Sequence, residues 1–144
     1  MTDRGIRNNN PGNIDNKQPW QGLMPKGEMT KEQKAEKRFA VFAEPKWGIR
    51  AIAKLLQTYE HKYKLDTVRG IIHRWAPPVE NNTDAYVNAV AAALHVEPDQ
   101  RIDVDHRLTA FNLVNAIIAH ECSGYRYPDD VVNEALDLAG VLPK

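Results

Sequence analysis

Apolar side chains recur at helical spacing from residue 45 to the end of the chain, and this pattern predicts about five helices. The first begins at Pro45, a residue favoured at the first position of a helix, and should continue to about residue 63. A shorter helix follows, capped by Asp66 or Thr67 and ended by Pro77-Pro78. The apolar stripes of these two helices are Trp47, Ile49, Ile52, Leu55, Leu56 and Tyr59, and then Val68, Ile71, Ile72 and Trp75.

Three more helices are predicted in the second half of the chain. Thr83 is a good N-cap for the third, the fourth covers about residues 106–122, and the fifth begins at Pro128 and ends at Gly140. Their stripes are Tyr86, Val87, Val90 and Leu94; then Leu108, Phe111, Val114, Ile117 and Ile118; then Val131, Val132, Ala135, Leu136 and Leu138. The fourth helix is the most apolar. We therefore expect a mainly α protein, one compact domain over 1–144, with about five helices around the central helix 106–122.

The amino-terminal stretch follows no such period. Residues 4–14 read RGIRNNNPGNI, which is too rich in Asn, Gly and Pro for a regular helix or strand. Ile6, Ile14 and Trp20 flank the polar run and would anchor it, with Leu23 as a further anchor. The pattern predicts an ordered loop packed on the helices, and ordered loops of this kind often carry function.

Residues 15–38 complete a loop-rich amino-terminal segment, 1–38, that we expect to pack on the helices. Residues 26–38, KGEMTKEQKAEKR, mix both signs of charge, which favours a solvated helix or a mobile loop. Phe39-Ala40-Val41-Phe42 is apolar and short, and it predicts either a brief strand or an extended entry into the first long helix.

Composition limits the class of protein. With 144 residues, 42% of them hydrophobic and 26% charged, the chain has the make-up of a soluble globular domain. Nineteen basic and nineteen acidic residues cancel, so no overall field attracts nucleic acid or anionic lipid, and we expect no nucleic-acid partner. No apolar run is long enough for membrane insertion, and the start of the chain lacks a signal peptide. Cys122, the single cysteine, excludes an internal disulfide.

Glu121 is the first candidate for chemistry. It continues the apolar face of the fourth helix, three and four residues beyond Ile118 and Ile117, instead of joining the solvent face. Burial and the carboxyl-terminal end of the helix dipole both disfavour a negative charge there. A carboxylic acid that keeps its proton is what general-acid cleavage of a glycosidic bond requires. The alternative is a structural Glu that turns to water or accepts a hydrogen bond from the amino-terminal loop.

Glu80 is the second candidate carboxylate. It follows Pro77-Pro78 in a stiffened loop, where it could orient water or hold a sugar, although charge near the start of the Thr83 helix explains it equally simply. The side-chain amides of the loop suit a ligand with many hydroxyl and amide groups, such as a glycan. These candidate binding residues are Asn8, Asn9, Asn10 and Asn13. The histidines show no metal-ligand spacing, so neither a metal site nor a cofactor is predicted.

Several stretches together resemble one family. They are RGIRNNNPGNI (4–14) with WQG (20–22), FAVF (39–42) with WGIRA (47–51), RWAPP (74–78) with Glu80, Asn81, Thr83 and Tyr86, and His120-Glu121 followed by Gly124, Tyr127-Pro128 and LAGV (138–141). The set resembles small phage and prophage virion proteins, usually labelled structural proteins. The chain departs from that pattern at Cys122-Ser123, where Asn and then Gly are expected.

An Asn-Asn-Pro loop together with a Glu on a central helix is also similar to peptidoglycan-cleaving enzymes of the lysozyme and lytic-transglycosylase kind. That likeness implies a lysozyme-like fold and a muramidase or transglycosylase in which Glu121 protonates the glycosidic oxygen. The Asn8–Asn13 loop would bind the sugar, and Tyr125 and Tyr127 would serve as stacking platforms.

The partners implied are peptidoglycan glycan strands and other phage particle proteins. The protein would be made in the host cytoplasm, and act at the cell wall or be carried in the virion. The alternative left open is a non-catalytic virion or assembly protein that binds glycan or another phage protein.

Overall fold

Helices carry most of the fold in the computed structural model, which describes residues 3–79 and 81–143. They are α1 (Arg4–Arg7), a 3-10 turn (Lys26–Glu28), α2 (Lys31–Lys34), α3 (Pro45–His61), α4 (Val68–Trp75), α5 (Thr83–Leu94), α6 (Arg107–Glu121) and α7 (Asp129–Ala139). The longer helices α3 to α7 are the predicted five, and the mainly α class is confirmed. Strand pairing within the described residues is limited to isolated bridges, so Phe39–Phe42 is extended backbone.

The helix ends follow from local sequence with one correction. α3 begins at Pro45, and α7 ends at Gly140, which takes the left-handed conformation with φ of 86°. The cap of α5 is Asn82 and not the predicted Thr83. The Thr83 hydroxyl instead donates to the carbonyl oxygen of Ala76 at 2.6 Å, which joins the start of α5 to the end of α4.

One hydrophobic core is shared by the long helices. α6 packs against α3, α5 and α7, while α3 packs against α4, α6 and α7, so α3 and α6 share the centre. The buried face of α6 consists of Ala110, Leu113, Val114, Asn115, Ile117 and Ile118. Leu108 was expected on that face but is 61% exposed, because it lies about 200° around the helix from Ala110. None of the helices in the described part of the chain has the length and apolar character of a membrane span.

The charged stretch 26–38 is not solvated throughout, which corrects the sequence prediction. Gln33 is buried and donates through Nε2 to the carbonyl oxygen of Arg7 at 2.8 Å, and its side chain also completes a capping box with Thr30. The Glu36 side chain is only 1% exposed and binds Arg7 and other donors of the amino-terminal loop. The stretch therefore fastens the loop from outside.

The predicted anchors behave differently from one another. Ile14 is buried in the core, and Trp20 packs against it while keeping part of its surface exposed. Leu23 is exposed and contributes only an isolated backbone bridge to Phe42, so its prediction as an anchor is wrong. The loop is nevertheless ordered against the helices, although its first residues form the short helix α1 (Arg4–Arg7), which the sequence did not predict.

Candidate active site

The Asn-rich loop uses most of its own amides to hold its shape. Asn10 is fully buried; its Nδ2 donates to the carbonyl oxygens of Ile14 and Ala40, both at 2.9 Å, and its Oδ1 accepts from the Ile14 N–H. Asn8 is also fully buried and donates to Glu36 at 3.0 Å. Neither side chain is open to a ligand in this arrangement, because both amides are bonded inside the protein. The contact of Asn8 and Asn10 with substrate stays a prediction.

Two residues of the loop adopt left-handed backbone conformations. Asn9 has φ of 52° and Asn13 has φ of 50°, values that Asn tolerates better than most residues. Asn9 donates through Nδ2 to the carbonyl oxygen of Phe42 at 2.9 Å. Its own carbonyl lies against Gly48 of α3, where a Cβ atom would come within 2.0 Å of it. The loop is thus seated directly on the backbone of α3.

Asn13 joins this loop to Glu121 at the end of α6. Asn13 Nδ2 lies 3.2 Å from Glu121 Oε1, a contact between residues far apart in the sequence. The second carboxylate oxygen, Oε2, accepts from the hydroxyl of Tyr86 on α5 at 2.9 Å. Glu121 itself is partly exposed. Its carboxyl group is therefore held from two sides and still reaches the surface.

Tyr86 is a permanent donor in this arrangement. Burial raises the pKa of its hydroxyl far above the ordinary value, and the neighbouring Glu121 carboxylate raises the same pKa further. The hydroxyl consequently keeps its proton and donates a hydrogen bond to Glu121. The ring of His120 stacks on that of Tyr86 with centroids 3.7 Å apart, which fixes the Tyr86 ring from its other face.

Glu121 and Asn13 line a polar cleft of about 380 Å³. The other described residues of its wall are Gly12, Arg38, Phe39, Trp75, Ala76 and Asn81. Among these lining residues Glu121 is the sole carboxylate. Glu80, the second predicted acid, lies outside the described residues, and its role stays a prediction.

The cleft continues into a longer depression, which we call the groove. Its middle part, about 460 Å³, shares Asn13, Arg38 and Trp75 with the cleft at Glu121. Its far part, about 630 Å³, shares Trp20, Leu55, Tyr59 and Arg74 with the middle. Because adjacent parts have common walls, the groove extends from Glu121 to Lys62 at the end of α3. Such a shape suits an extended ligand.

The groove contains aromatic residues that the sequence did not single out as binding residues. Trp20, Tyr59 and Trp75 line it, and Tyr59 meets Trp75 edge to face with centroids 6.3 Å apart. Tyr59 and Trp75 were assigned to apolar stripes, and both are only half-buried. Their place at the edge of a stripe, next to Arg74, is the signal that could have identified them.

The predicted stacking residues Tyr125 and Tyr127 do not line the groove in the described part of the chain. Tyr127 is 5% exposed, and burial raises the pKa of its hydroxyl. Tyr125 is 40% exposed and packs edge to face on Tyr127 at 4.7 Å. The Tyr127 ring is buried and offers no face to a sugar in this arrangement, and sugar stacking on Tyr125 and Tyr127 stays a prediction.

Cys122 and the histidines add no obvious second centre. Cys122 is buried, its Sγ lies 3.4 Å from the Pro11 carbonyl oxygen, and burial raises the pKa of the thiol to about 12, so the thiol is protonated and unreactive. The fold gathers Glu60, His61 and Asp105 within 4.8 Å, a grouping that sequence spacing did not predict. His61 Nε2 lies 2.6 Å from Asp105 Oδ2, which accounts for that contact as an exposed hydrogen bond.

Similarity to known proteins places the chain in a family. No protein-family model matches it. Over 138 residues it is 36% identical to Protein P5 of Pseudoalteromonas phage PM2, an alignment that covers 93% of this chain and 80% of that protein. Identity at this level over nearly the whole chain confirms the prediction of a phage protein. The chain thus belongs to the same family as Protein P5 of phage PM2.

Proposed function

We propose that this phage protein cleaves the glycan backbone of peptidoglycan, with Glu121 as the general acid. The observation that carries the proposal is the position of Glu121. Its carboxyl group is held by Asn13 and Tyr86 on the wall of a polar cleft, at one end of a groove lined by aromatic rings. A proton donor at the end of an elongated, aromatic-lined groove is the arrangement that cleavage of a polysaccharide needs.

The chemistry assigned to Glu121 is a cycle of proton transfer. Its carboxylic acid gives a proton to the glycosidic oxygen as the bond from that oxygen to the anomeric carbon breaks, and the bonding electrons leave with the oxygen. The Asn13 amide and the Tyr86 hydroxyl stabilise the carboxylate that remains. That carboxylate then takes a proton from the hydroxyl group that attacks the anomeric carbon, which restores the acid.

Two sources of that hydroxyl give two products. Attack by water gives a reducing end, as in a muramidase, whereas attack by a hydroxyl of the same sugar gives an anhydro end, as in a lytic transglycosylase. Glu121 is the sole carboxylate among the described residues of the cleft, which favours a route in which the N-acetyl group of the substrate stabilises the positive charge. A Glu80→Gln variant that lost activity as fully as Glu121→Gln would replace this route with a two-carboxylate one.

The test is digestion of purified sacculi followed by mass analysis of the soluble products. Glu121→Gln keeps the shape of the side chain but cannot transfer a proton, so we expect release to fall by about 10²–10⁴-fold. Glu97→Gln serves as the matched control, because Glu97 is exposed and does not line the cleft, and this variant should retain full activity. Wild-type protein that releases nothing, or Glu121→Gln that releases as much as wild type, would overturn the assignment.

A second candidate function is a non-catalytic part of the phage particle or its assembly. One observation favours it: both carboxylate oxygens of Glu121 accept from protein donors, as in a structural acceptor that ties the amino-terminal loop to α5 and α6. In that case sacculi stay intact, and Glu121→Gln costs about 1 kcal/mol of unfolding free energy. Co-purification with particle proteins, or binding to glycan without cleavage, would be the positive result for this function.

Both functions imply where the protein acts. Cleavage of peptidoglycan requires action at the cell wall, either after release from the host cytoplasm or from the particle. The particle role places the protein in the virion. An antibody to this protein, applied to purified virions, shows whether the protein is carried in the particle or is released separately from the host cytoplasm.

A further inference from the structure

The arginines of the described chain are divided by their partners. Most of them pair with a carboxylate, and those pairs are Arg4 and Arg7 with Glu36, Arg38 with Asp15, Arg69 with Asp99, Arg101 with Asp66, Arg107 with Asp137, and Arg126 with Asp129. Arg50 and Arg74 are the exceptions among the described residues, and both line the far part of the groove. Two guanidinium groups that have no carboxylate partner line the same part of the groove, which indicates a binding site for an anion.

Two lysines extend this positive wall. Lys54 and Lys62 also line the far part of the groove; Lys54 lies one turn after Arg50 on α3, and Lys62 follows the last residue of that helix. Arg50 and Lys62 are about 18 Å apart along the helix axis. None of the described residues that line this part is acidic. We call Arg50, Lys54, Lys62 and Arg74 the basic arm.

Aromatic rings and unsatisfied donors accompany these cations. The Arg74 guanidinium lies 3.7 Å from the centroid of the Tyr63 ring. This cation–π contact orients the guanidinium group, whose planar shape suits a bidentate partner. Arg50 Nε and Trp20 Nε1 are buried donors that have no partner in the described structure. Buried donors of this kind are costly, and an anionic ligand in this part of the groove would supply acceptors.

We propose that the basic arm binds the carboxylate groups of the peptide stems carried by peptidoglycan. The inference rests on the proposed function, since it takes the ligand of the Glu121 cleft to be a glycan strand that continues along the groove. A strand in that position would bring its stems beside α3, where the planar forks of Arg50 and Arg74 match a carboxylate. The protein would therefore select glycan that still bears its stems over bare glycan.

The experiment measures binding without cleavage, in the Glu121→Gln background. The probes are whole sacculi and glycan strands from which an amidase has removed the peptides. Removal of the stems should weaken binding by about tenfold, because charge-assisted contacts are lost. Adding Arg50→Gln and Lys54→Gln, which line only the far part of the groove, should weaken binding to whole sacculi by a similar factor and leave binding to bare strands unchanged.

A charge-matched control separates the basic arm from net charge. Lys26→Gln with Lys34→Gln removes the same number of charges from exposed positions that do not line the groove, and it should leave both affinities unchanged. Far-UV circular dichroism checks that each variant is folded. Equal binding to whole sacculi and bare strands would overturn the inference, as would an equal loss in the control variant.

Two further outcomes keep the inference distinct from the proposed function. If wild-type protein cleaves sacculi but binding ignores the stems, the inference alone fails. If no cleavage occurs but binding depends on the stems and on the basic arm, the inference stands and the catalytic assignment fails. A single-stranded DNA oligonucleotide is the remaining probe. If the protein bound it as tightly as whole sacculi and through the same residues, the inference would be overturned in favour of nucleic acid.

Discussion

Two glutamates hold opposite ends of the Asn-rich loop, and their surroundings differ in kind. The side chain of Glu36 is 1% exposed and accepts from the guanidinium groups of Arg4 and Arg7, from the Asn8 amide and from backbone N–H groups. Glu121 is partly exposed, accepts from one amide and one hydroxyl, and opens on the cleft. One carboxylate is surrounded by charged and backbone donors, whereas the other has neutral partners and access to a ligand.

The difference separates a structural acid from a candidate for chemistry. The hydrogen bonds from Arg4, set against the cost of burial, hold the pKa of Glu36 well below its usual range, with backbone N–H groups and Asn8 acting in the same direction. A carboxylate so completely bonded stays ionised and has no lone pair left for a substrate. Glu121 keeps unused lone pairs on the wall of a cleft, which is why the proposed proton transfer is assigned to it.

Removal of the Glu36 charge should give the largest loss of stability. Glu36→Gln removes the charge that Arg4 and Arg7 share and replaces one acceptor oxygen by an NH2 group, and loss of one member of a buried ion pair costs about 3–5 kcal/mol. Because Arg4 and Arg7 are themselves partly exposed, we expect about 3 kcal/mol. Urea unfolding measures this, with Glu28→Gln as an exposed control. A loss no larger than that of the control would break the contrast between the two glutamates.

The seat of the loop on α3 gives the next largest effect. An alanine at Gly48 would place its Cβ 2.0 Å from the carbonyl oxygen of Asn9, so the backbone of the loop must move. Gly48→Ala gains helix propensity, but we expect a net cost of about 2 kcal/mol from overpacking. Gly27→Ala is the matched control, since its Cβ would meet nothing within 4 Å. If thermal unfolding showed Gly48→Ala to be stabilising, the loop would not be tightly seated between the two glutamates.

The helical half of the molecule was predictable because its signal is local. Each long helix buries residues at i, i+3 and i+4, so the stripes give the helices and the buried positions together. The position of Glu121 on the stripe of α6 followed from the same period. The end of α7 at Gly140 followed from the preference for glycine at a helix C-terminus. Two positions near the starts of helices were predicted wrongly. Leu108 is exposed and not part of the buried stripe of α6, and the N-cap of α5 is Asn82 and not Thr83.

The loop and the groove were less predictable because their contacts join distant parts of the chain. The charges of residues 26–38 look the same whether solvated or paired, and only the fold shows that Glu36 faces Arg4 and Arg7. A run of Asn residues suggests ligand binding as readily as hydrogen bonding within the protein, and only the fold shows that Asn8 and Asn10 are buried. Spacing cannot supply the meeting of Asn13 with Glu121, since these residues are brought together by tertiary packing.

Acidification should remove the contribution of Glu36 and leave the other contacts of the loop in place. Because the folded-state pKa of Glu36 lies below the ordinary value of 4.5, its stabilisation is complete above that value and is lost as the pH falls toward the folded-state pKa. The stability difference between wild type and Glu36→Gln should therefore shrink by about 1–2 kcal/mol between about pH 6 and about pH 3. Urea unfolding at both values tests this, and a difference that stays constant would contradict the assigned role.

Loss of the Tyr86 hydroxyl should give the smallest change in stability and isolate the Glu121 side of the comparison. Tyr86→Phe keeps the buried ring and its stacking on His120 but removes the donor to Glu121 Oε2, so we expect a cost of about 1 kcal/mol. If Tyr86 stabilises the carboxylate left by proton transfer, release from sacculi should fall by about tenfold, more than this stability change explains. Glu97→Gln, which alters an exposed side chain outside the cleft, should change neither quantity. If Tyr86→Phe lowered the stability but released as much peptidoglycan as wild type, this hydrogen bond would be purely structural, as those of Glu36 are.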